Sequence, residues 1–293
     1  MPSVTANGIT IEYETAGELS KPPLLLIMGL GGQLVAWDDE FVDELVKQGF
    51  FVVRYDNRDV GLSTWFDEAG IPDIGDLMTA RLSGGAPKAP YLLDDMAADA
   101  SGLLDALGIA STNVLGVSMG GMIAQEFAIR HPAKVRSLVS IMSTTGDPSV
   151  GNPHPDAMAA LMEPPPATRD AAMDASVKAW QVLGSPGYDF DEQRIRRRAA
   201  EAFDRAFHPE GVARQLSAVI SSPDRTEALG SVTAPTLVIH GEADPLVDPS
   251  GGKATAAAIP GASLWLVPGM GHELPPPLFP EVAKRVAEHS LAG

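Results

Sequence analysis

The chain has 293 residues, 45% hydrophobic and 20% charged, a balance that excludes disorder as the main state. Its 38 acidic side chains outnumber 21 basic ones, and the net charge of −17 disfavours nucleic acid and anionic membranes as partners. With no cysteine there is no disulfide scaffold, thiol nucleophile or Cys-ligated metal site.

At this length one large α/β domain carrying an inserted subdomain is expected. Met1 to Tyr13 has neither the basic nor the apolar region of a secretory signal, and no run nears the roughly 18 apolar residues of a membrane helix. A cytoplasmic protein is expected.

Thr10 to Glu14 predicts an early strand, and Leu24 to Met28 a buried one that ends at Gly29. Trp37, Phe41, Leu45 and Val46 recur at helical spacing, and Gly49 suits the residue just past a helix end. Phe51 to Tyr55 reads as a strand. Leu92, Met96, Ala100, Leu103, Leu104 and Leu107 form a helical stripe after Pro90. Asn113 to Val117 is a strand, Met119 to Arg130 a helix stopped by Pro132, and Val135 to Met142 a strand. Continuously apolar strands alternating with helices predict a mostly parallel sheet covered on both faces.

The texture changes after Ser143. From Thr144 to about Ser231 no segment has the β-branched run of a buried strand. Prolines such as Pro148, Pro153 and Pro164 to Pro166 punctuate helical patterns at Met173, Val177 and Trp180, at Arg194 to Phe207, and at Val212 to Ile220. That is too long for a plain crossover, and it predicts a helical cap over residues 144–231. Residues 1–143 and 232–293 would form the core domain. The α/β rhythm resumes with a strand at Thr236 to His240, a helix at Pro249 to Ile259, a strand at Leu264 to Val267 and a helix at Leu278 to His289.

Gly116-Val117-Ser118-Met119-Gly120 matches G-x-S-x-G and sits between a predicted strand and a predicted helix, the context this motif requires. A sharp turn there lifts the serine oxygen clear of the sheet. Small residues on either side let helix and strand approach. The helix N-terminus points its partial positive charge at the site, and Met119 can offer its N–H to an oxyanion. A serine hydroxyl needs a base, and the base needs an orienting carboxylate. Of six histidines, His131, His154, His208, His240 and His289 sit at a helix end, in a proline-rich loop, between cap helices, at a strand end and in the last helix. His272 instead lies in the glycine-rich Pro268 to His272 loop after an apolar strand, where open α/β sheets carry their sites. Asp244, in the loop after His240, is the favoured acid. Glu242 is its weaker competitor, and Asp248 before Pro249 reads as a helix cap. The chain order Ser118, Asp244, His272 fits one of the three unrelated triad layouts. Met28-Gly29-Leu30-Gly31-Gly32 is placed to supply a second oxyanion donor at Leu30, beside Met119.

Five pieces in this order resemble the α/β-hydrolase fold superfamily over essentially the whole chain: Met28 to Gly32, Tyr55 to Ser63, the Ser118 elbow, the Asp244 loop and the His272 loop. Two positions depart from the pattern. Relatives usually begin the first motif His-Gly, where this chain has Met28. The second often reads Arg-Gly-x-Gly, where this chain has Asp59, and Asp56 and Arg58 are expected to form a buried structural pair. The elbow is similar to capped small-molecule esterases and lactonases, among them methylesterases of polyketides such as aclacinomycin and enol-lactonases. The resemblance implies a carboxylic ester hydrolase that works through an acyl-enzyme. Lactonase, perhydrolase and C–C hydrolase chemistry with the same triad, and a non-catalytic binding protein on this fold, are the alternatives.

An apolar pocket is expected, with Met28, Gly29, Leu30, Met119 and Trp65 near the elbow and Met158, Met162, Met173 and Trp180 from the cap. The expected partner is a small, largely hydrophobic ester. Nothing in the sequence fixes whether the chain forms a homodimer. There is no G-x-x-x-x-G-K-[ST], no complete G-x-G-x-x-G and no H-E-x-x-H, so neither organic cofactor nor metal is expected. Arg196-Arg197-Arg198 reads as a salt-bridging helix face.

Overall fold

The protein is described by a computed structural model over residues 2–85 and 87–291. Chain entry is a hairpin, β1 (Ser3–Ala6) and β2 (Ile9–Ala16), turning on Asn7 and Gly8. Both turn residues lie at positive φ, 49° and 78°, as a tight two-residue hairpin demands. The strands β3 (Pro23–Ile27), β4 (Phe51–Tyr55), β5 (Thr112–Val117), β6 (Val135–Ile141), β7 (Thr236–Gly241) and β8 (Ser263–Val267) follow. Together they make one eight-stranded sheet in the order β1-β2-β4-β3-β5-β6-β7-β8, antiparallel at the β1–β2 and β2–β4 pairings and parallel elsewhere.

The register explains why β3 is apolar throughout. Leu25 and Ile27 point to one face, packed with Met96 and Leu103 of α3 (Leu93–Ala106) and Phe127 of α4 (Met119–Arg130). Leu24 and Leu26 point to the other, against Phe41 and Leu45 of α1 (Asp39–Lys47) and Val282 of α11 (Phe279–Ser290). From Leu24 to Ile27 β3 is sealed on both sides, so no position there is left for a polar residue to meet water. The helix α2 (Ile74–Leu82) stands outside the expected set; its N-cap Asp73 accepts from the Asp76 N–H at 3.0 Å. It buries no residue fully: Ile74, Leu77 and Met78 give it one short, partly buried apolar side, and Gly75, Asp76, Thr79 and Leu82 are exposed.

Between β6 and β7 the chain runs through α5 (Pro155–Leu161), α6 (Arg169–Leu183), α7 (Glu192–Arg205), α8 (Pro209–Ser221) and the short α9 (Thr226–Leu229). The helix α10 (Ser250–Ala258) then connects β7 to β8. The loops that follow β3, β5, β7 and β8 leave the carboxyl ends of parallel strands and meet beneath α5 to α8, the place where open α/β sheets gather chemistry.

Candidate active site

Ser118 stands between the last residue of β5 and the first of α4 with φ 55° and ψ −123°, backbone that a serine adopts only under constraint. The constraint is visible. Its N–H donates to the Ile141 carbonyl at 2.9 Å, and its carbonyl accepts from Gly121 and Met122. The glycines on either side are dictated by contact. A Cβ on Gly116 would lie 2.1 Å from the Gly120 carbonyl oxygen, and one on Gly120 would lie 2.0 Å from that of Ile27. Helix and strand are therefore closer than any side chain permits.

His272 reaches this serine from the loop after β8. Its Nε2 lies 2.9 Å from Ser118 Oγ and its Nδ1 lies 2.8 Å from Asp244 Oδ2. The Asp244 carboxylate only accepts, so Nδ1 carries the proton and the Nε2 lone pair faces the hydroxyl. The loop is tied to the helices above: the His272 N–H donates to the Leu183 carbonyl at 2.8 Å, and the Gly271 N–H to Ser185 Oγ at 2.9 Å.

Asp244 is buried in the turn after β7. Its Oδ1 accepts from the Leu246 and Val247 N–H groups, both at 2.9 Å. His240, the strand-end histidine, donates from Nε2 to the Val247 carbonyl at 2.7 Å and stands 3.4 Å from Asp244 Oδ2. Burial pushes the Asp244 carboxyl up, but the charge of His272 and the hydrogen bonds from His240, His272 and Val247 outweigh it. They hold the group below the ordinary carboxylate range. Among the described residues His272 has its ion pair with Asp244 and none with Glu242. Asp248 accepts from the Ser250 N–H at 2.8 Å, the capping part its sequence suggested.

The Leu30 and Met119 N–H groups find no acceptor among the described residues. Gly29 lies against the serine: a Cβ there would sit 3.7 Å from Ser118 Oγ. These groups open into a cavity of about 480 Å³ lined by Met28, Gly29, Leu30 and Met119 below and Met158, Met162 and Trp180 above. Met78 of α2, Trp37, Phe41 and Met142 also line it and were not singled out in the sequence. On one wall stands Arg198, whose guanidinium bonds to the Ala36 carbonyl. A second cavity of about 770 Å³ opens beside the first beneath α5 to α8, and the two share Leu30, Leu161, Met162 and Leu216.

Three expectations are corrected. Trp65 lines neither cavity; its ring stacks on His208 at 4.0 Å and its Nε1 donates to the Gly61 carbonyl. Met173 lines neither cavity; from α6 the residues Ala172, Ser176 and Ala179 line the larger one and Trp180 the smaller. Asp56 and Arg58 do not pair with each other. Asp56 binds Arg205 of α7 at 2.7 Å and Arg58 binds Asp99 of α3 at 2.6 Å; the chain leaves β4 after Tyr55 and turns at Arg58 and Asp59, so the alternation of a strand no longer sets where the two side chains point. Asp59 has φ 69°, the backbone for which glycine is the usual choice, and its carboxylate is held by Arg214 and Tyr91. Among the described residues no group of three or more His, Cys, Asp or Glu could hold a metal ion, and no helix is long and apolar enough to cross a membrane.

The sheet order, the serine turn and the loops that meet there define an alpha/beta hydrolase, and the chain belongs to that family: its model, described as alpha/beta hydrolase fold, matches residues 22–275. Among particular relatives, the chain is 30% identical over 312 residues to the rhodomycin D methylesterase DauP of a Streptomyces species (strain C5), covering 99% of this chain and 98% of that protein. The crystal structure of an enol-lactonase from Burkholderia xenovorans LB400 superposes with a TM-score of 0.70 at 25% identity, over 99% of this chain and 98% of that one. The meta-cleavage product hydrolase CumD of Pseudomonas fluorescens IP01 superposes with a TM-score of 0.76 at 20% identity, over 100% of this chain and 98% of that one, a likeness of fold.

Proposed function

We propose that this chain is a carboxylic ester hydrolase using Ser118, His272 and Asp244, with residues 144–231 as the cap over its substrate. The observation that carries the reading is the continuous row of hydrogen bonds from Ser118 Oγ through His272 to Asp244, opening into an apolar cavity beside two unpaired N–H groups. His272 Nε2 takes the hydroxyl proton as Oγ attacks the ester carbonyl. Asp244 steadies the imidazolium through Nδ1–H. The Leu30 and Met119 N–H groups receive the negative oxygen of the tetrahedral intermediate. His272 returns its proton to the leaving alkoxide, and water frees the acid by the same steps in reverse.

The cavity walls favour an apolar acyl part, and the larger adjoining space favours a body too big for the inner chamber alone. The likeness to methylesterases supports a methyl ester of a bulky hydrophobic acid. The test is hydrolysis of methyl and aryl esters of graded acyl size, alongside lactones, by wild type and Ser118→Ala. The expected loss in kcat is about 10⁵-fold or more. A serine-directed phosphonate should label wild type at Ser118. Full turnover by Ser118→Ala ends this assignment, and lactones hydrolysed in preference to esters would move the reading to lactonase chemistry.

A further inference from the structure

The loop that offers the Leu30 N–H is held from two directions, and one of them is the cap. Within the planar Gly29–Leu30 peptide the Gly29 C=O and the Leu30 N–H point in opposite directions. That carbonyl accepts from the Gly32 N–H at 3.2 Å, and the Met28 carbonyl before it accepts from Asn57 Nδ2 at 2.9 Å. Both bonds come from the core. The next peptide is gripped from α8: the Gly31 N–H donates to Gln215 Oε1 at 2.9 Å. The same amide donates from Nε2 to the Arg58 carbonyl at 2.7 Å. Only one orientation of the Gln215 amide serves both partners, because one is a donor and the other an acceptor. Gly31 sits at φ 68° and has no side chain to lock it, so the hydrogen bond sets its plane.

A second cap contact reinforces the first. Gln33 Nε2 donates to the carbonyls of Ala202 in α7 and Ala206 just after it, both at 2.7 Å, and its Oε1 accepts from Arg205 Nη1 at 2.8 Å. Gln215 itself is fully buried and lines neither cavity, whereas its neighbour Leu216 lines both. Its amide therefore touches the loop and not the bound substrate.

We propose that Gln215 is a positioning residue for the oxyanion site: it fixes the Leu30–Gly31 peptide so that the Leu30 N–H meets the developing charge. The oxyanion site is then assembled jointly by core and cap, and is complete only with α8 docked. The inference rests on the ester-hydrolase reading. A donor acts on an oxyanion only within a narrow distance, and it gains its strength as charge appears, not while the neutral ester binds. Loss of the clamp should therefore fall on kcat and spare KM.

Gln215→Met keeps the length of the side chain and removes both hydrogen bonds. On an aryl ester its kcat should fall about 10- to 100-fold with KM changed less than about threefold. Its affinity for an aryl boronic acid, whose serine adduct places a negative oxygen among the same donors, should fall by a similar factor. Ser217→Ala is the control. It deletes a buried hydroxyl of α8 that bonds the Arg214 carbonyl at 2.6 Å and reaches no part of the loop, and it should leave all three quantities unchanged. If Gln215→Met does not fold, Gln215→Asn, one methylene too short to span both partners, carries the same expectation. Unchanged kcat and boronate affinity in a folded variant, a loss confined to KM, or an equal loss in Ser217→Ala overturns the proposal. Wild-type protein that forms no boronate adduct at Ser118 overturns the ester-hydrolase reading beneath it, so the two failures are told apart.

Discussion

The helices α7 and α8 and the helices α5 and α6 cover the same cavities, yet they are fastened by different means. From α8, Arg214 enters the loop after β4 and grips Asp59 at 2.8 and 2.9 Å, with both side chains essentially sealed from water. From α7, Arg205 meets the fully buried Asp56 at 2.7 Å, and Arg194 binds Asp38. Among the described residues the ion pairs of α5 and α6 include no such anchor. Arg169 to Asp204, Lys178 to Glu163 and Asp174 to Arg196 all lie in solvent and run from one part of the cap to another. Exposed pairs contribute little, while breaking one side of a buried pair leaves a charge stranded. The lesson is a difference in anchoring: α7 and α8 are joined to the core by buried ion pairs, whereas the ion pairs of α5 and α6 lie in solvent and α6 meets the core through the backbone bond from His272 to Leu183.

The largest effect expected of that comparison comes from Asp59→Asn. Asparagine tolerates the φ of 69° nearly as well as aspartate, so the change removes the charge without adding backbone strain. Arg214 would keep only the half-exposed Asp67 carboxylate. The stability loss should be about 3 kcal/mol, read as the shift in urea midpoint at unchanged slope. A loss below about 1 kcal/mol would put both halves of the cap in one class.

The converse variant sharpens the same contrast. Arg169→Ala with Lys178→Ala deletes two exposed pairs of α6, and its stability should change by less than about 1 kcal/mol. Limited proteolysis of this variant should quicken in residues 155–183 and not in residues 192–221. Equal quickening in both stretches would dissolve the distinction.

What could be seen in the sequence follows the same line. The serine turn was legible because its glycines answer to backbone contacts of about two ångströms, and such contacts leave no choice of residue: Gly116 and Gly120 are readable from one sequence. The flanking strand and helix were legible because both faces of the sheet are sealed, which turns burial into an apolar run. The cap's attachments were not. Arg214 finds Asp59 across 155 positions and Gln215 finds Arg58 across 157, and a single sequence holds no signal for distance in space. Trp65 looked like a pocket wall for want of knowing that His208, from the far side of α7, stacks on it. The strand β1 was overlooked although Asn7-Gly8 announces its hairpin, because its four residues are too few to show an alternation. The helix α2 was missed because its stripe is short: Ile74, Leu77 and Met78 span little more than one turn and none of them is fully buried.

The smallest effect concerns a carboxylate of the core, Asp244. Asp244 is depressed below its ordinary value of 3.8, so the folded protein binds its proton less readily than the unfolded chain does. The stabilising contribution is therefore fully present above about pH 4 to 5 and is lost as the pH falls below that, with a slope that one proton limits to about 1.4 kcal/mol per pH unit. Asp244→Asn lacks this dependence. The stability difference between wild type and variant should be constant near neutrality and should narrow in acid, while the other depressed carboxylates, Asp147, Asp204 and Asp248, act equally in both proteins. Urea midpoints measured for the pair from neutral pH down to about pH 3 provide the comparison. A difference that stays flat through acid would mean that Asp244 is not held by the charge of His272. The hydrogen-bonded row would then lack the electrostatic support that an imidazolium requires in the ester reaction.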